Sequence, residues 1–365
     1  MILRLRMSNK KNILIVGTGT IGEPLVGLLS DMRKELDIGE VYFHKRRPLK
    51  DEVAKVNSLI ARGAHLVVDP EKEDQFRALG HKPVLKHLEA LDAADVVIDC
   101  TPAGNEAKDL FYSQHAEENP EKVFIAQGSE KGFGMPYAYG INDSALMEKS
   151  PNFIQVVSCN THNIACLLKS LSLQSDLSDI HFGDFTCIRR ANDISQIASF
   201  VASPHVGKHT DQAYGTHHAR DAHDLLATLG RSLNIRSSAL KLNSQYMHVI
   251  RFVIEINALA NEKDVLNCFA NNKFIGLTDK TSSNRVFSFG RDHGYYGRIF
   301  NQTIVSVPTL MIDRNSGKTR ITGFCFTPQD GNSLLSSAAA SLHAIHGEKY
   351  AEYMNLFDPY LFTEV

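Results

Sequence analysis

The sequence predicts a two-domain α/β protein: a doubly wound parallel-sheet domain, then an α+β domain built on a mixed or antiparallel sheet. The chain has 365 residues, which at roughly 150 residues per domain is enough for about two hydrophobic cores. Up to about residue 150, short apolar runs of strand length alternate with amphipathic segments, which is typical of a parallel sheet covered by helices on both faces. Beyond that point, long β-type runs follow one another with few helical segments between them.

The overall composition excludes several classes of protein. Lys+Arg total 39 and Asp+Glu total 41, so the net charge of −2 provides no strong attraction for nucleic acid or an anionic membrane. No apolar stretch approaches the roughly 18 residues of a membrane helix, and the first ten residues lack the features of a secretory signal. Six cysteines without a dense framework of spacings suit a reducing compartment. We therefore expect a cytoplasmic enzyme that binds neither nucleic acid nor membranes.

The first predicted strand, Asn12–Val16, leads into a glycine-rich turn, GTGTIG, and then into a segment with helical spacing of its apolar residues. In such a unit the first glycine permits a tight turn, the second lets the backbone approach a pyrophosphate, and the third lets helix and strand pack closely. This context favours a dinucleotide-binding site over a glycine-rich turn without a ligand. The site is predicted to comprise Gly17, Gly19, Thr20, Ile21 and Gly22.

The end of the second predicted strand, Glu40–His44, bears on the choice of dinucleotide. NAD-selective sites usually carry Asp or Glu here to bind the ribose 2′-hydroxyl. This chain instead offers Lys45, Arg46 and Arg47 with no carboxylate at the tip, and cations attract a 2′-phosphate. We expect NADP to be preferred and NAD tolerated, with Lys45 and Arg46 as ligands; the alternative is a solvated basic turn.

Further strands are predicted near Val67, up to Cys100 and up to Gln127, and the first domain is predicted to span residues 1–158. The residues after two of these strands would lie beside the cofactor: Thr101, Pro102, Gln127 and Gly128. A C-terminal helical region, residues 331–365, is expected to pack back onto this domain. Within it, Asn332 is a candidate for holding the nicotinamide amide.

The second domain, residues 159–330, is predicted to begin with a cysteine between the strand Phe153–Ser158 and the helix Asn160–Leu171. The unpaired N–H groups and dipole of a helix N-terminus favour a thiolate and lower a thiol pKa, so Cys159 is a candidate nucleophile. The other five cysteines lie in apolar runs and are expected to be inert core residues.

Several short segments together resemble the archaeal, type II glyceraldehyde-3-phosphate dehydrogenases. They occur in that family's order between about residues 12 and 345. The segments are VGTGTIG, the turn at 45–48, DCTPAG at 99–104, AQGSEK at 126–131, SCNT at 158–161, IRRA at 188–191, THH at 216–218 with Asp221, and YMHV at 246–249.

The resemblance implies a phosphorylating NAD(P)-dependent glyceraldehyde-3-phosphate dehydrogenase of glycolysis or gluconeogenesis that forms homotetramers. Cys159 would attack the aldehyde to form a thiohemiacetal, a hydride would pass to the nicotinamide, and inorganic phosphate would cleave the thioester, or the reverse sequence would run. The backbone N–H of Cys159 or Asn160 is a candidate oxyanion donor. The two partners implied are a small phosphorylated aldehyde and inorganic phosphate.

Both phosphates need cationic or N–H donors. Guanidinium forks suit phosphate oxygens, which makes Arg189 and Arg190 candidates, although neighbours on a strand point to opposite faces and only one of the two would then face the site. The resemblance places His217 and His218 at the anion sites. It also adds Thr161 to this group.

The resemblance to the family is weakest at the position of the general base. The resemblance implies His248, but the family's second histidine is replaced here by Ile250, and a histidine on an apolar strand can equally be a buried core residue. After His218, Ala219 and Arg220 also depart from the family, and residues 204–215 look like an insertion.

The sequence also allows a metal-site interpretation and two alternative functions. Five histidines lie between His205 and His223, but no Cys or Glu completes a familiar ligand set, so we expect no metal. One alternative function is a related semialdehyde or acyl-phosphate reductase, such as an aspartate-semialdehyde dehydrogenase. The other is a cofactor-binding homologue that has lost catalysis.

Overall fold

A computed structural model describes residues 10–128, 130–173, 177–193, 196, 200–328 and 330–365. The chain forms two compact units. The first consists of residues 1–137, 146–156 and 336–355. The second consists of residues 138–145, 157–335 and 356–365.

The first unit is built on an eight-stranded sheet in which every pairing is parallel. Its strands are β1 (Ile13–Val16), β2 (Val41–His44), β3 (His65–Val68), β4 (Leu85–Lys86), β5 (Val96–Asp99), β6 (Val123–Gln127), β7 (Met135–Tyr137) and β8 (Phe153–Val156). Their order is β4-β3-β2-β1-β5-β6-β8-β7. The chain therefore leaves β1 towards β2 on one side and later returns beside it as β5, which makes the carboxyl end of β1 the switch point where such folds bind ligands.

Helices alternate with these strands, which confirms the predicted α/β class. They are α1 (Gly22–Asp31), α2 (Val53–Ala61), α3 (Glu73–Ala78), α4 (His87–Ala93), α5 (Gly104–Ala107), α6 (Ser113–Glu118) and α7 (Asp143–Lys149). All four residues of β1 are buried, as are those of β2 and β5. This two-sided burial is the reason why the strands appear in the sequence as continuous apolar runs.

The second unit contains a seven-stranded mixed sheet, also as predicted. Its strands are β9 (Ile180–Arg189), β10 (His205–Val206), β11 (Ile235–Lys241), β12 (His248–Ile256), β13 (Ile275–Thr278), β14 (Thr303–Asn315) and β15 (Lys318–Thr327), in the order β10-β11-β9-β12-β15-β14-β13. The central pairings of β12 with β9 and with β15 are antiparallel. Alternate residues along β12 are buried, as expected for strands with two different faces.

The second unit contains the helices α8 (Cys159–Leu171), α9 (His217–Ala227), α10 (Glu262–Ala270) and α11 (Ser283–His293). The longest of these four, α8, follows β8 in the sequence and is almost fully buried. Two further helices complete the chain, α12 (Gly331–His346) and α13 (Tyr350–Met354). From residue 336 onwards α12 belongs to the first unit, where His346 Nε2 lies 2.9 Å from the carbonyl oxygen of Leu36.

Among the residues described, no helix combines the length and the apolarity needed to cross a bilayer. Each of the six cysteines is free.

Candidate active site

The glycine-rich turn after β1 has three glycines in three different surroundings. Gly17 has φ of +92°, a region that L side chains rarely adopt. A Cβ at Gly22 would lie 2.1 Å from the carbonyl oxygen of Gly17, whereas a Cβ at Gly19 would meet no atom within 4 Å. Gly17 thus occupies a turn, Gly22 a closely packed position and Gly19 an open one. This cradle and the N-terminus of α1 fit a pyrophosphate.

The basic turn after β2 meets an acidic partner from the following 3-10 turn, which the sequence pattern did not reveal. Lys45 is buried, and its ammonium pairs with the carboxylate of Glu52 and lies 3.5 Å from Thr18 Oγ1. Arg46 and Arg47 are exposed. The expectation that no carboxylate lies at this turn is therefore wrong, because the chain folds back and brings Glu52 to Lys45.

The predicted residues at the ends of β5 and β6 lie as follows. Thr101 donates from its N–H and its hydroxyl to Asp99 Oδ1, at 2.8 and 2.7 Å, and its methyl group would lie 3.1 Å from a Cβ at Gly17. Pro102 next to it is exposed. Gln127 donates to Ser337 Oγ at 2.7 Å, while its Oε1 is buried without a partner among the described atoms.

The backbone continues from Gln127 through Gly128, which has φ of +72°. Its N–H donates to the carbonyl oxygen of Val156 at 2.9 Å. Ser129, part of the AQGSEK segment, lies outside the described residues. Among the described residues of this segment, Gln127 thus offers a buried acceptor that has no partner in the described part of the chain.

Cys159 is the first residue of α8, which begins one residue earlier than the predicted helix Asn160–Leu171. Ser158 caps the helix by accepting from the Thr161 N–H at 3.4 Å, and the Asn160 backbone N–H donates to the Cys159 sulfur. Nevertheless the pKa of Cys159 is raised, because burial of the sulfur outweighs the positive charge of Arg190 and the Asn160 N–H. The prediction of a lowered thiol pKa is wrong for the free protein, since a thiolate at this position is poorly solvated.

Two polar residues from distant parts of the chain hold the start of α8. Asn332 is fully buried and donates from Nδ2 to the Cys159 carbonyl oxygen at 3.1 Å, which leaves its Oδ1 buried without a partner among the described residues. Thr327 donates to Asn160 Oδ1 at 3.1 Å. Thr161 is also fully buried, and its hydroxyl lies 2.9 Å from Ser158 Oγ. Its hydroxyl therefore takes part in the cap of α8.

The two consecutive arginines lie in different environments. Arg189 is exposed at the end of β9, whereas Arg190 is only 7% exposed. The Nη2 of Arg190 pairs with Asp193, but its Nε and Nη1 are buried and have no partner among the described residues. Unsatisfied buried guanidinium donors are costly, so this arrangement suits an anion that would accept from both.

The predicted histidines lie in the same unit as the arginines. The rings of His217 and His218 stack with their centroids 4.0 Å apart, at the start of α9. Burial lowers both pKa values, that of His218 to about 3, and the charge of Arg189 lowers both further. Both rings are therefore neutral at pH 7, and Arg189 lies within electrostatic range of each.

His248 has a defined tautomer. The Arg190 backbone N–H donates to its Nδ1 at 3.1 Å, and burial and then the positive charge of Arg190 hold its pKa well below the usual range. Because Nδ1 accepts a hydrogen bond in a neutral ring, the proton lies on Nε2. His248 is thus suited to donate a hydrogen bond, not to take up a proton as a base. Ile250, two residues on, is fully buried.

Sequence reasoning missed two acidic residues whose charges act on the cysteine, Asp193 beside Arg190 and Asp330. Asp330, in the left-handed backbone region at φ +57°, is 6% exposed and accepts from Arg298 Nε at 3.2 Å. Burial raises its pKa to about 6 despite the charges of Arg298 and Arg190, and its own charge raises the pKa of Cys159. No local motif marks this position.

The histidine-rich stretch does not converge on one point. His209 Nε2 lies 3.0 Å from Ser238 Oγ and His223 Nε2 lies 3.2 Å from Ser232 Oγ. Within the described part of the chain, the one trio spaced for a metal ion lies in the first unit and consists of His44, Asp69 and His87. There the two imidazoles stack in nearly parallel planes at 4.1 Å, so they would have to rotate before both could face one ion.

The fold and its glycine-rich loop define a dinucleotide-binding α/β protein, and the second unit adds a candidate cysteine nucleophile. No family model matches the chain. It is similar to proteins named glyceraldehyde-3-phosphate dehydrogenase from Pyrobaculum neutrophilum (26% identity over 77% of both chains) and Sulfolobus acidocaldarius (25% over 84% of this chain and 85% of the relative). Glyceraldehyde-3-phosphate dehydrogenase 2 of Methanosarcina barkeri is 26% identical over 78% of this chain and 79% of its own. These similarities support a relationship with that family, without assigning its type II branch.

Proposed function

We propose that this chain is a phosphorylating, NAD(P)-dependent glyceraldehyde-3-phosphate dehydrogenase that prefers NADP over NAD. The observation that carries the proposal is that the charge of Arg190 acts on the thiol of Cys159 at the start of α8, while Arg190 Nε and Nη1 lack a partner among the residues that the structure describes. A nucleophile beside an unsatisfied guanidinium suits a reaction in which an anionic substrate is captured covalently. The names of the archaeal relatives support the same activity.

The dinucleotide would be held by the glycine-rich turn, by Arg46 after β2 and by the groups at the ends of β5 and β6. Gln127 Oε1 and Asn332 Oδ1, each without a partner among the described residues, are acceptors of the kind that a carboxamide N–H requires. When bound, the nicotinamide supplies the hydride acceptor that turns a thiohemiacetal into a thioester.

The chemistry on Cys159 begins with loss of the thiol proton, which its raised pKa makes the demanding step. Because His248 Nδ1 is already occupied, we assign proton uptake to Asp330, which is ionised above a pKa of about 6. Sulfur attack on the aldehyde carbon forms the thiohemiacetal, and the Nε2–H of His248 is a donor for its oxygen. After oxidation, attack by inorganic phosphate releases the acyl phosphate and returns the free cysteine.

The two phosphates are assigned to the arginines and the paired histidines. Arg190 provides two desolvated N–H donors, and Arg189 adds an exposed positive charge close to His217 and His218. Neutral imidazoles donate one N–H each without adding charge, so the set can hold phosphate without binding it irreversibly. An aldehyde with a carboxylate instead of a phosphate would use fewer of these donors, which is why we favour the phosphorylated substrate over a semialdehyde.

By the same resemblance we infer a homotetramer in the cytoplasm. Its support is the similarity to the archaeal enzymes alone.

The test is turnover of glyceraldehyde 3-phosphate by the purified chain with NADP or NAD. We expect reduction of the cofactor that requires phosphate or arsenate, and an acyl group trapped on Cys159 by mass spectrometry when phosphate is withheld. The Cys159→Ser variant should lose at least about a thousandfold in kcat, because a hydroxyl is a much weaker nucleophile. Cys268→Ser, which removes a free cysteine from α10, is the matched control and should retain activity.

Undiminished turnover by Cys159→Ser would overturn the mechanism. Turnover of an unphosphorylated semialdehyde in preference to glyceraldehyde 3-phosphate would instead overturn the substrate assignment.

A further inference from the structure

An ion-pair network at the carboxyl end of β2 is centred on Glu52, a residue outside the glycine-rich turn and the basic turn. Glu52 lies on a short 3-10 turn before α2, and its two carboxylate oxygens accept separately from the ammonium groups of Lys45 and Lys55. Lys55 also pairs with Glu23, in the first turn of α1, at 3.2 Å. Hydrogen bonds from the two lysines hold the pKa of Glu52 below its usual value although burial opposes this. Glu52 therefore accepts as an ionised carboxylate, and together with Glu23 it balances the charges of the two lysines.

This network lies directly against the glycine-rich turn. Lys45 Nζ is 3.5 Å from Thr18 Oγ1, and Lys55 Nζ donates to the Thr18 carbonyl oxygen at 3.3 Å. Thr18 stands between Gly17 and Gly19. In dinucleotide-binding folds the adenosine ribose is recognised at this point, between the glycine-rich turn and the end of the second strand.

We propose that Glu52 determines how this protein discriminates between a ribose 2′-hydroxyl and a 2′-phosphate, by competing with the phosphate for Lys45. The inference rests on the proposed dinucleotide function and adds to it the residue that keeps NAD usable. A carboxylate accepts a hydrogen bond from a 2′-hydroxyl, whereas it repels a 2′-phosphate.

The competition is strong because Lys45 is desolvated. Its side chain is only 6% exposed, so its ammonium needs an anionic or hydrogen-bonding partner, and Glu52 fills that need in the free protein. A 2′-phosphate gains Lys45 only by displacing Glu52, while Arg46 is exposed and attracts the phosphate without such an exchange. The basic turn thus favours NADP, and Glu52 limits that preference.

The experiment measures binding of two nucleotide fragments by calorimetry: adenosine 2′,5′-bisphosphate, which carries the 2′-phosphate, and 5′-AMP, which carries the 2′-hydroxyl. We compare the full-length wild type with Glu52→Gln and with Asp51→Asn. Asp51 is the exposed neighbour of Glu52 on the same turn, so this variant removes an equal charge one residue away.

We expect Glu52→Gln to bind the bisphosphate about tenfold more tightly, since the phosphate no longer competes with a carboxylate for Lys45, and to bind 5′-AMP unchanged or up to about threefold more weakly. Asp51→Asn should change both affinities by less than about twofold. Thermal unfolding of each variant reports whether it is folded. If Glu52→Gln does not fold, Glu52→Asp retracts the carboxylate from Lys45 while keeping its charge and should shift the ratio in the same direction.

An equal shift in the two charge variants would show a general electrostatic effect and overturn the role of Glu52. An unchanged ratio of the two affinities in Glu52→Gln or Glu52→Asp, with both fragments still bound, would overturn it as well while leaving the proposed function intact. Failure of the wild type to bind either fragment or NADP would contradict the proposed function itself, and this inference with it.

Discussion

At the scale of single residues, the contrast between Arg189 and Arg190 shows how the backbone assigns different tasks to identical neighbours. Arg189 ends β9 in an exposed position, and Arg190 follows with a buried guanidinium. Exposed cations contribute little and are screened by salt, whereas desolvated donors bind anions strongly. Most of the anion affinity should therefore come from Arg190.

The first prediction at this scale is that Arg190→Lys raises the KM for inorganic phosphate, or for the phosphorylated aldehyde, by about tenfold or more. Lysine keeps the charge but cannot supply the two fixed N–H donors of the guanidinium fork. Arg189→Lys is the matched comparison and should change either KM by less than about threefold. Steady-state kinetics at varied phosphate provides the measurement, and an equal effect of both substitutions would contradict the role of the buried donors.

Residues also mark the limit of prediction from sequence. The position of Cys159 at a helix start followed from the local pattern, because an apolar strand gives way there to helical spacing. Its pKa did not follow, since it depends on burial, on Asp330 and on the Arg190–Asp193 pair, and no local pattern brings these groups to Cys159. Glu52 was missed although it lies only seven residues after Lys45, because the two side chains meet only when the segment between them folds back.

At the scale of elements, the β1–turn–α1 unit was predictable in detail because each of its requirements is local. A strand buried on both faces must be apolar, and a turn that packs a helix against that strand must use glycine where a Cβ would collide. Contacts between distant segments of the chain leave no such local pattern in the sequence. The bond from Asn332 to the Cys159 carbonyl joins residues 173 positions apart, and nothing in either segment specifies the other.

This unit allows a prediction that separates folding from binding. Gly22→Ala should lower the melting temperature by several degrees, because its Cβ would lie 2.1 Å from the Gly17 carbonyl oxygen and the backbone has to shift. Gly19→Ala should leave the melting temperature within about two degrees, since no atom lies within 4 Å of its Cβ, yet weaken NADP binding by about tenfold or more by blocking the approach of the pyrophosphate. Calorimetric melting and NADP titration measure the two effects.

The reverse pattern would contradict the assignment of these glycines. A Gly19→Ala variant that binds NADP normally would mean that the pyrophosphate does not approach this backbone.

At the scale of the whole molecule, the net charge of −2 does not predict how stability depends on pH. That dependence is dominated by the buried histidines. Burial lowers the pKa of His87 and of His162 to about 4 and that of His218 to about 3, and it also lowers the pKa of His248. The unfolded chain takes up protons on these rings near pH 6.5, while the folded chain does not. The free energy of unfolding is therefore not reduced by these histidines above pH 6.5. It falls as the pH drops from 6.5 towards their pKa values in the folded chain.

One group acts in the opposite direction. Asp330 has its pKa raised from 3.8 to about 6, so the folded chain holds that proton more tightly and gains stability as the pH falls through this range. At about 1.4 kcal/mol per pKa unit, Asp330 contributes roughly as much as one buried histidine such as His162. Seven described histidines have lowered pKa values, so against this one carboxyl the net effect is a loss of stability in acid.

We therefore predict that the free energy of unfolding falls by several kcal/mol between pH 7 and pH 5, as measured by denaturant titration. Replacing the fully buried His162 with Gln should lower stability at pH 7 but flatten the pH dependence by close to one proton, because a titrating group has been removed. His205→Gln, at an exposed position on β10, is the matched control and should leave the slope unchanged.

Inorganic phosphate should raise stability more at pH 5 than at pH 7 if it binds beside His217 and His218, since an anion there favours protonated rings. A stability that rises towards acid would mean that these histidines are charged in the folded protein, and the neutral Nε2–H donor assigned to His248 would then have to be abandoned.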